Sequence, residues 1–303
     1  MEIPESARQG IYKCLGAKSK EYLSQVDKRL EKYVDLWKLY DLAFMPTDTV
    51  NFLFSCRSAL YKECVLKMCI PGPEVAAEVG CLRAYDGKGY CNLWAYDLSD
   101  DVLLLERIIP GEQMWSVKDY RERARLMATT IKGLPIPYDG SGQYPTYLSW
   151  MEEIHRKLTD MGGLEDVLFF LNEAMKIYAE LKHRHHQECL LHGDLHQENL
   201  LLNSSGGYTI IDPKGVVDDP IMETSRFLIN EMPCEKDKII EMAEIMSPII
   251  SVSVEDILKS MYVDTALSHS WRMEEHFHTR EAFDEAKQAV IDTCKFVHGL
   301  MKE

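Results

Sequence analysis

The sequence predicts an α+β protein of two lobes, in which an antiparallel sheet that carries one helix precedes a mostly helical lobe. The 303 residues, of which 46% are hydrophobic, are enough for two cores. From residue 50 to residue 108, short segments rich in β-branched, aromatic and leucine residues alternate with turns, and long segments with helical periodicity follow. We therefore predict a first lobe at 1–108 and a second lobe at 109–303.

Residues 1–44 have the apolar spacing of a helix. Tyr22, Val26, Leu30 and Tyr33 follow one another at steps of three or four residues, so that they share one face. We predict a helical extension that packs on the first lobe.

Four segments beyond residue 50 have the composition of strands and are separated by turn-forming residues. In order they are VNFLFSC, YKECVLKMC, YCNLWAYD and VLLLERI, and they predict four or five antiparallel strands. The segment PGPEVAAEVGCLRAYDG lies between the second and the third. Its opening prolines, its alanines and its closing Asp-Gly predict one helix of about three turns.

This order of strands and helix can place Lys67, late in its strand, opposite a carboxylate of the helix. Glu78 is the better partner because Glu74 lies in the first turn. A lysine fixed by a glutamate can bind the α- and β-phosphates of a nucleotide. The alternative is a surface lysine and a solvated glutamate.

The segment LLLERIIPG ends the sheet at a Pro-Gly break and predicts a hinge between the lobes. Backbone groups from Glu106 to Ile108 are the predicted contacts of an adenine edge. Helical segments follow, interrupted by a loop at 134–146. The HRHH run at 183–186 is typical of a solvated helix end, which explains it without a metal ion.

The segment LLHGDLHQENLLLNSSGGYTIIDPKG carries the chemistry. Its His192, Asp194 and Asn199 have the spacing H-x-D-x-x-x-x-N of a phosphoryl-transfer loop, and a short strand then leads to Asp212. A carboxylate such as Asp194 can orient and deprotonate an alcohol, while Asn199 and Asp212 supply hard oxygen ligands for Mg²⁺ beside a triphosphate. His192 is expected to brace the loop. Each residue alone could be an ordinary turn or cap residue.

LHGDLHQENLLL followed by IDPKG resembles the aminoglycoside phosphotransferase superfamily, and more narrowly the streptomycin 6-kinase and hydroxyurea phosphotransferase family. VNFLFSCRSALYKECVLKM, LLLERIIPG and DPIMETSRFLINEM extend the resemblance over most of the chain. The resemblance implies a protein-kinase-like fold with an ATP-binding first lobe. It also implies that Asp194 is the catalytic base, that Asn199 and Asp212 are metal ligands, and that Lys67 with Glu78 forms the phosphate clamp.

The chain departs from protein kinases at two places. No glycine lies between Gly16 and Gly72, so the phosphate-covering loop is not glycine-rich. We expect that loop near residues 55–59, where backbone amides or the hydroxyls of Ser55 and Ser58 could contact phosphate. There is also no A-P-E segment, which argues against a protein kinase.

The segment VVDDPIMETSRFLINEM predicts a helix that is capped by Asp219 with Pro220 at its first position. Acidic and aromatic side chains in this segment and near residue 274 are candidates for the pocket of a cationic acceptor. The candidates are Asp218, Glu223, Glu231, Trp271, Glu274 and Glu275. The alternative for the acids is an ordinary solvated surface.

The charge and the cysteines restrict the partner and the compartment. Lys plus Arg total 34 against 49 acidic residues, and a net charge of -15 argues against nonspecific nucleic-acid binding and favours cationic small molecules. The nine cysteines form no C-x-x-C pair, which predicts neither a zinc site nor a disulfide framework. Without an apolar leader or a membrane-length apolar run, we expect a cytoplasmic monomer or weak dimer that binds no membrane.

The leading hypothesis is an ATP- and Mg²⁺-dependent kinase that phosphorylates a hydroxyl of a cationic small molecule, with an aminoglycoside such as streptomycin as the first substrate to consider. Two alternatives have the same motifs: a kinase of an endogenous sugar or amino alcohol, and a nucleotide-binding pseudokinase. A protein kinase is a further alternative. Acceptor-dependent nucleotide turnover distinguishes a kinase from a pseudokinase.

Overall fold

The computed structural model describes residues 4–46, 51–232, 235–275 and 280–302. The chain divides into two compact units, Met1–Gly111 with Leu201–Ile211, and Glu112–Leu200 with Asp212–Glu303. The segment Leu201–Ile211 follows the predicted catalytic loop, residues 192–199, and belongs to the first unit. The lobe boundary at residue 108 stays a prediction.

The first unit begins with helices α1 (Glu5–Leu15) and α2 (Ser19–Leu36), which form the predicted extension. The prediction of helix up to residue 44 is wrong, because Leu39–Met45 is strand β1. Lys38 has a positive φ of 53°, which ends the helical path. In the sequence, Tyr40 continues the apolar spacing of α2. In the structure it lies in β1, with 47% of its surface exposed.

Five antiparallel strands form the main sheet, in the order β1-β2-β3-β5-β4. The remaining four are β2 (Phe52–Ser58), β3 (Lys62–Met68), β4 (Leu93–Asp97) and β5 (Val102–Glu106). In the centre, β3 pairs with β5 so that Lys67 lies opposite Leu103. Val102, Leu103 and Leu104 are fully buried, as expected for an interior strand. The predicted antiparallel sheet is confirmed.

Helix α3 (Pro73–Tyr85) connects β3 to β4, and it is the single helix predicted between the strands. Pro73 occupies its first turn, where no amide hydrogen is needed. The helix ends at Asp86, which has the left-handed backbone conformation that stops helices.

A second sheet of the order β10-β9-β6 contains β6 (Pro110–Gln113), β9 (Leu200–Asn203) and β10 (Tyr208–Ile210). The β9–β10 hairpin connects the catalytic loop to Asp212. Within the first unit, the amide of Cys91 donates to the carbonyl of Ile210 (2.8 Å), and the amide of Ile210 donates to the carbonyl of Gly89 (2.8 Å).

The second unit is mostly helical, as predicted. Its helices are α4 (Tyr120–Gly133), α5 (Tyr147–Met161), α6 (Glu165–Arg184), α7 (Glu223–Asn230), α8 (Lys236–Ile250), α9 (Val254–Glu275) and α10 (Arg280–Leu300). Helix α9 contacts α5, α6, α7, α8 and α10. A helix with neighbours on all sides must bury its polar residues as well, and Asp264 of α9 has no exposed surface.

A small antiparallel sheet supports the catalytic loop. Its order is β11-β8-β7, with β7 at Ile136–Pro137, β8 at Cys189–Leu191 and β11 at Val216–Asp218. Val216 pairs with Leu191, so the chain leaves the sheet at residue 192 and returns to it at residue 216. Within the described ranges, no helix is both long and apolar enough to cross a lipid bilayer.

Candidate active site

In the first unit, Lys67 and Glu78 form a buried ion pair. The Nζ of Lys67 lies 2.8 Å from each carboxylate oxygen of Glu78. Their side chains are only 6% and 9% exposed. The pair forms because Lys67 points from β3 towards α3, where Glu78 rather than Glu74 lies on the inward face. The ammonium group is thereby held in one orientation, although a phosphate-binding role for it stays a prediction.

The segment predicted to contact adenine follows β5. The carboxylate of Glu106 accepts hydrogen bonds from the amide (3.0 Å) and the side-chain nitrogen (2.7 Å) of Asn92. Gly111 has a φ of +79°, and a Cβ there would lie 2.7 Å from the carbonyl oxygen of Ile108. The turn after Ile108 therefore requires glycine. The adenine contacts of Glu106 and Ile108 stay predictions.

The predicted phosphate-covering loop at 55–59 is wrong in position, because Ser55 and Ser58 both lie in β2. The hydroxyl of Ser58 is buried and donates to the carbonyl of Trp37 (2.7 Å), while Ser55 donates to the carbonyl of Ala43 (3.3 Å). The strand continues to Ser58 because Phe52, Phe54 and Cys56 alternate into the core and Ser58 finds a buried acceptor.

In the second unit, His192 holds the catalytic loop together. Its carbonyl accepts hydrogen bonds from the amides of Lys214 (2.9 Å) and Gly215 (3.1 Å), so that the DPKG turn is fixed to the loop. Its Nδ1 accepts from the amide of Asp194 (3.0 Å). A fully buried imidazole with these bonds braces the loop.

Gly193 allows the loop to pass close to its neighbours. Its φ is +78°, and a Cβ there would lie 2.8 Å from Cγ1 of Val216 and 3.1 Å from Cη2 of Trp150. Its amide donates to Oε1 of Glu223 (2.7 Å). Asp194 is thus presented by a backbone that is held from both sides.

The carboxylate of Asp194 is surrounded by cations and is 21% exposed. Its Oδ1 lies 3.2 Å from Nε of Arg226, and its Oδ2 lies 3.8 Å from Nζ of Lys214. Burial alone would raise the pKa of Asp194, but Arg226, Lys214 and two histidines hold it below its usual value. Asp194 is therefore ionised at neutral pH and can accept a hydrogen bond from an alcohol.

Asn199 and Asp212 present oxygen atoms that fit a hard divalent cation. The side-chain nitrogen of Asn199 donates to the carbonyl of Asp194 (2.9 Å), which turns the amide oxygen in the opposite direction. Asp212 has a φ of 58° and lies two residues after the end of β10. Its charge acts on His196, which also approaches Asp194 (3.9 Å). An amide oxygen and a carboxylate are the donor set that Mg²⁺ takes beside phosphate oxygens and water.

Three of the acids predicted to bind a cationic acceptor have structural partners instead. Asp218 is 1% exposed and accepts from the hydroxyl of Tyr178 (2.7 Å) and from Lys182 (3.1 Å). Glu231 forms a double hydrogen bond with Arg123 (2.7 and 2.5 Å). Their partners satisfy these carboxylates inside the unit, so the expected solvated acidic wall is wrong for them.

Glu223 is the third of these acids and lies behind the catalytic loop. It is 4% exposed, and within the part of the chain that the structure describes its Oε2 has no hydrogen-bond partner. Burial, opposed by the hydrogen bond from Gly193, raises the pKa of Glu223 to about 7.

Asp219 caps the turn that begins at Pro220, as predicted. Its carboxylate accepts a hydrogen bond from the amide of Ile221 (3.0 Å).

Trp271 lies in an aromatic group that reaches the catalytic loop. Its ring packs edge-on against Trp150 with centroids 5.2 Å apart, and Trp150 in turn lies against Tyr147 (5.3 Å) and Gly193. Trp150 and Trp271 are both partly exposed. The side chains of Glu274 and Glu275 lie outside the described part of the chain.

Arg226, Lys214, Asp264 and Trp150 were not predicted as site residues. Lys214 could have been predicted as a site residue, because it lies in the DPKG turn two residues after Asp212. Arg226 and Asp264 carry no such signal, since they come from two helices far apart in sequence and meet only in the folded unit. Trp150 is likewise found only through its contact with Gly193.

A family model and two relatives match most of this chain. A family model described as aminoglycoside/hydroxyurea antibiotic resistance kinase matches residues 53–276. A hydroxyurea phosphotransferase of Kitasatospora aureofaciens is 27% identical over 240 residues, which cover 76% of this chain and 68% of that protein. A streptomycin 6-kinase of Streptomyces glaucescens is 24% identical over 223 residues, which cover 73% of this chain and 72% of that protein.

Among solved structures, an amicoumacin kinase in complex with AMP-PNP and Ca²⁺ aligns with a TM-score of 0.68 at 14% identity. The alignment covers 93% of this chain and 99% of that one. At this identity the likeness concerns the fold, and it confirms the predicted protein-kinase-like fold, with a sheet-containing unit and a mostly helical unit.

Proposed function

We propose, because the chain belongs to the aminoglycoside/hydroxyurea antibiotic resistance kinase family, that it transfers the γ-phosphate of Mg-ATP to a hydroxyl of an aminoglycoside-type acceptor. That the chain is a small-molecule phosphotransferase follows from the family and from its relatives. ATP, Mg²⁺ and a streptomycin-like acceptor are the finer part of the proposal. The observation that carries it is the ionised, partly exposed carboxylate of Asp194 on a loop shared with Asn199.

In this reaction Asp194 orients the acceptor hydroxyl by accepting its hydrogen bond. The acceptor oxygen forms a bond to the γ-phosphorus, the bond from that phosphorus to the bridging oxygen of ADP breaks, and the hydroxyl proton passes to Asp194. A carboxylate of low pKa is a weak base, which suits a loose transition state in which the proton leaves late. Orientation is therefore the main contribution of Asp194.

The remaining groups bind the nucleotide. Asn199 and Asp212 would hold Mg²⁺, which neutralises charge on the phosphate oxygens as it develops. Lys67, fixed by Glu78, binds the α- and β-phosphates as a cation of set orientation. The AMP-PNP and Ca²⁺ bound by the amicoumacin kinase support a nucleotide and a divalent cation as ligands of this fold.

A cationic acceptor is favoured by the charge of the protein and by its aromatic residues. The net charge is -15, so cations are attracted at long range. Because Asp218, Glu223 and Glu231 are committed inside the unit, close recognition falls to partly exposed rings such as Trp150 and Trp271, which attract ammonium and guanidinium groups through their faces.

We also propose a cytoplasmic location. All seven cysteines that lie in the described ranges with described side chains are free thiols, which suits a reducing compartment that also supplies ATP.

The proposal is tested by measuring ADP formation from Mg-ATP with streptomycin and with hydroxyurea as separate acceptors. We expect turnover that depends on an added acceptor and that falls roughly 100- to 10,000-fold in Asp194→Asn, which keeps the shape of the side chain but removes the charged oxygen that orients the hydroxyl and takes its proton. A phosphorylated product is identified by mass spectrometry.

Two outcomes would contradict the proposal in different ways. Turnover with an amino alcohol or a sugar but with neither antibiotic would assign the enzyme to a metabolite. Stabilisation by Mg-ATP in a thermal-shift assay without phosphoryl transfer to any acceptor would identify a nucleotide-binding pseudokinase.

A further inference from the structure

A buried guanidinium connects the proposed catalytic base to the centre of the helical unit. Arg226 lies on α7 with 12% of its side chain exposed, and its Nη2 donates to Oδ1 of Asp264 on α9 (2.8 Å). Asp264 has no exposed surface and accepts a second hydrogen bond from the hydroxyl of Ser225 (3.0 Å). On the same edge of the guanidinium, Nε of Arg226 lies 3.2 Å from Oδ1 of Asp194, an ion pair whose angles do not make a hydrogen bond.

We propose that Arg226, held by Asp264, is a positioning residue that fixes the carboxylate of Asp194 through Oδ1 and leaves Oδ2 to accept the proton of the substrate hydroxyl. This inference rests on the proposed function, in which Asp194 is the base. It adds Arg226 and Asp264 to the site and gives the two carboxylate oxygens of Asp194 different roles.

The energetics of a buried arginine support this arrangement. A buried guanidinium is tolerated only where carboxylates compensate its charge, and Arg226 has two such partners, Asp264 through a hydrogen bond and Asp194 through an ion pair. The planar guanidinium can contact both carboxylates at once, whereas the compact ammonium group of a lysine can lie close to only one of them. Asp264 thereby fixes the position of Arg226, and Arg226 attracts Asp194 from a fixed point.

The two oxygens of Asp194 have different surroundings. On the inner side, Oδ1 faces Arg226 and also His196 at 3.9 Å. On the outer side, Oδ2 faces only the Nζ of Lys214 among the described ion pairs, at 3.8 Å, which is longer than a hydrogen bond. Lys214 is 45% exposed and can move away. Oδ2 is therefore the oxygen that an acceptor hydroxyl can reach.

The kinetic test compares Arg226→Met, Arg226→Lys and Asp264→Asn, with streptomycin and hydroxyurea as acceptors. We expect Arg226→Met to lower kcat roughly 10- to 100-fold, because a base that is free to rotate is rarely aligned with the hydroxyl. The KM for Mg-ATP should remain within a factor of about 2, since none of the described ion pairs or hydrogen bonds of Arg226 joins it to a proposed nucleotide-binding residue. Arg226→Lys should recover part of kcat, and Asp264→Asn should lose less than Arg226→Met.

Arg123→Met is the matched control. Arg123 is as deeply buried as Arg226 and pairs with Glu231, which also accepts from the side chain of Gln197 (2.7 Å), and none of the described ion pairs or hydrogen bonds joins Arg123 to Asp194. Both substitutions leave a buried carboxylate uncompensated and should lower the melting temperature. Only Arg226→Met should lower kcat strongly, so equal losses of kcat in the two variants would overturn the proposal.

A structural test is independent of the acceptor. Crystal structures of the wild type, Arg226→Met and Arg226→Lys show whether the Asp194 carboxylate keeps its orientation. We expect it to rotate in Arg226→Met and to return in Arg226→Lys, and an unchanged carboxylate in Arg226→Met would overturn the proposal. If the wild type phosphorylates neither acceptor, the proposed function fails in its substrate, and these structures still decide the role of Arg226.

Discussion

At the scale of single residues, the surroundings of a carboxylate decide its role in this protein. Asp194 follows Gly193 in the chain and Glu223 accepts from the amide of Gly193 (2.7 Å), yet the cations around Asp194 hold its pKa below the usual value, whereas burial raises that of Glu223 to about 7. Asp194 thus carries a charge that a substrate can use. Glu223 is a partly protonated support of the loop.

Glu223→Gln tests this difference through the pH dependence of stability. The pKa of Glu223 is raised in the folded state from 4.5 to about 7, so the folded protein holds this proton more tightly than the unfolded chain. The contribution of Glu223 to stability is therefore fully present below pH 4.5 and is lost as the pH rises to about 7, by an amount on the order of 3 kcal/mol. In Glu223→Gln this decline should be absent.

Urea unfolding of both proteins between pH 4.5 and pH 8 measures the effect. Glu244→Gln, which removes an exposed carboxylate of α8, is the control for the loss of a negative charge. A difference in unfolding free energy between wild type and Glu223→Gln that is constant over this range would contradict the assignment.

At the scale of elements, local pattern was enough for most of the fold. The strands β2 to β5 and the helix α3 were predicted because each has its own composition and is bounded by turn residues. Strand β1 was missed since Trp37 and Tyr40 continue the spacing of α2 by coincidence, and only the pairing of β1 with β2 shows the change.

The site residues also differ in whether the local sequence is enough to predict them. Asp194, Asn199 and Asp212 lie in one short motif with a fixed order, so that sequence alone could single them out. Asp218, Glu223 and Glu231 were expected to face solvent because they are charged, but their partners come from other helices or from loop backbone, and sequence spacing contains no information about such contacts.

Gly193→Ala tests the loop that these elements support. A side chain at Gly193 meets a positive φ of +78° and two close neighbours, Cγ1 of Val216 at 2.8 Å and Cη2 of Trp150 at 3.1 Å. We expect a loss of roughly 2 to 4 kcal/mol in unfolding free energy, from the left-handed backbone and from overpacking. Turnover should also fall, because Asp194 is the next residue.

Gly163→Ala separates the two causes. Gly163 has a φ of +72°, but a Cβ there meets no heavy atom within 4 Å. The control should therefore lose only the backbone part, roughly 1 to 2 kcal/mol, and should keep full turnover. Equal losses of stability in Gly193→Ala and Gly163→Ala would show that close packing at the loop is unimportant.

At the scale of the whole molecule, the reaction class was easier to predict than the acceptor. The proposed catalytic and nucleotide-binding groups lie in one motif and one ion pair, and both can be predicted from the order of residues along the chain. The acceptor pocket has no such motif. Its candidates were chosen by charge, and three of the acids are structural, while the aromatic group of Trp150 and Trp271 is assembled from two helices.

Nucleotide binding provides a test at this scale, because a ligand that binds only the folded protein raises its melting temperature as concentration rises. Lys67→Met breaks a buried ion pair, so the protein without ligand should lose roughly 3 to 5 kcal/mol of stability. It also removes the proposed phosphate contact, and the stabilisation by Mg-ATP, about 2.7 kcal/mol at 100 times Kd in the wild type, should shrink at the same concentration. Differential scanning fluorimetry over a series of Mg-ATP concentrations measures both effects.

Lys182→Met distinguishes a binding defect from a general loss of stability. Lys182 pairs with the buried Asp218 at 3.1 Å in the second unit, and it is not proposed to contact a phosphate. We expect its melting temperature to start lower and then to rise with Mg-ATP as the wild type does. If Lys67→Met rises in parallel with Lys182→Met, then Lys67 and Glu78 serve the stability of the first unit alone, and the phosphates are bound by other groups. If the rise is lost only in Lys67→Met, the buried pair both stabilises the sheet and holds the ammonium group in place for the nucleotide.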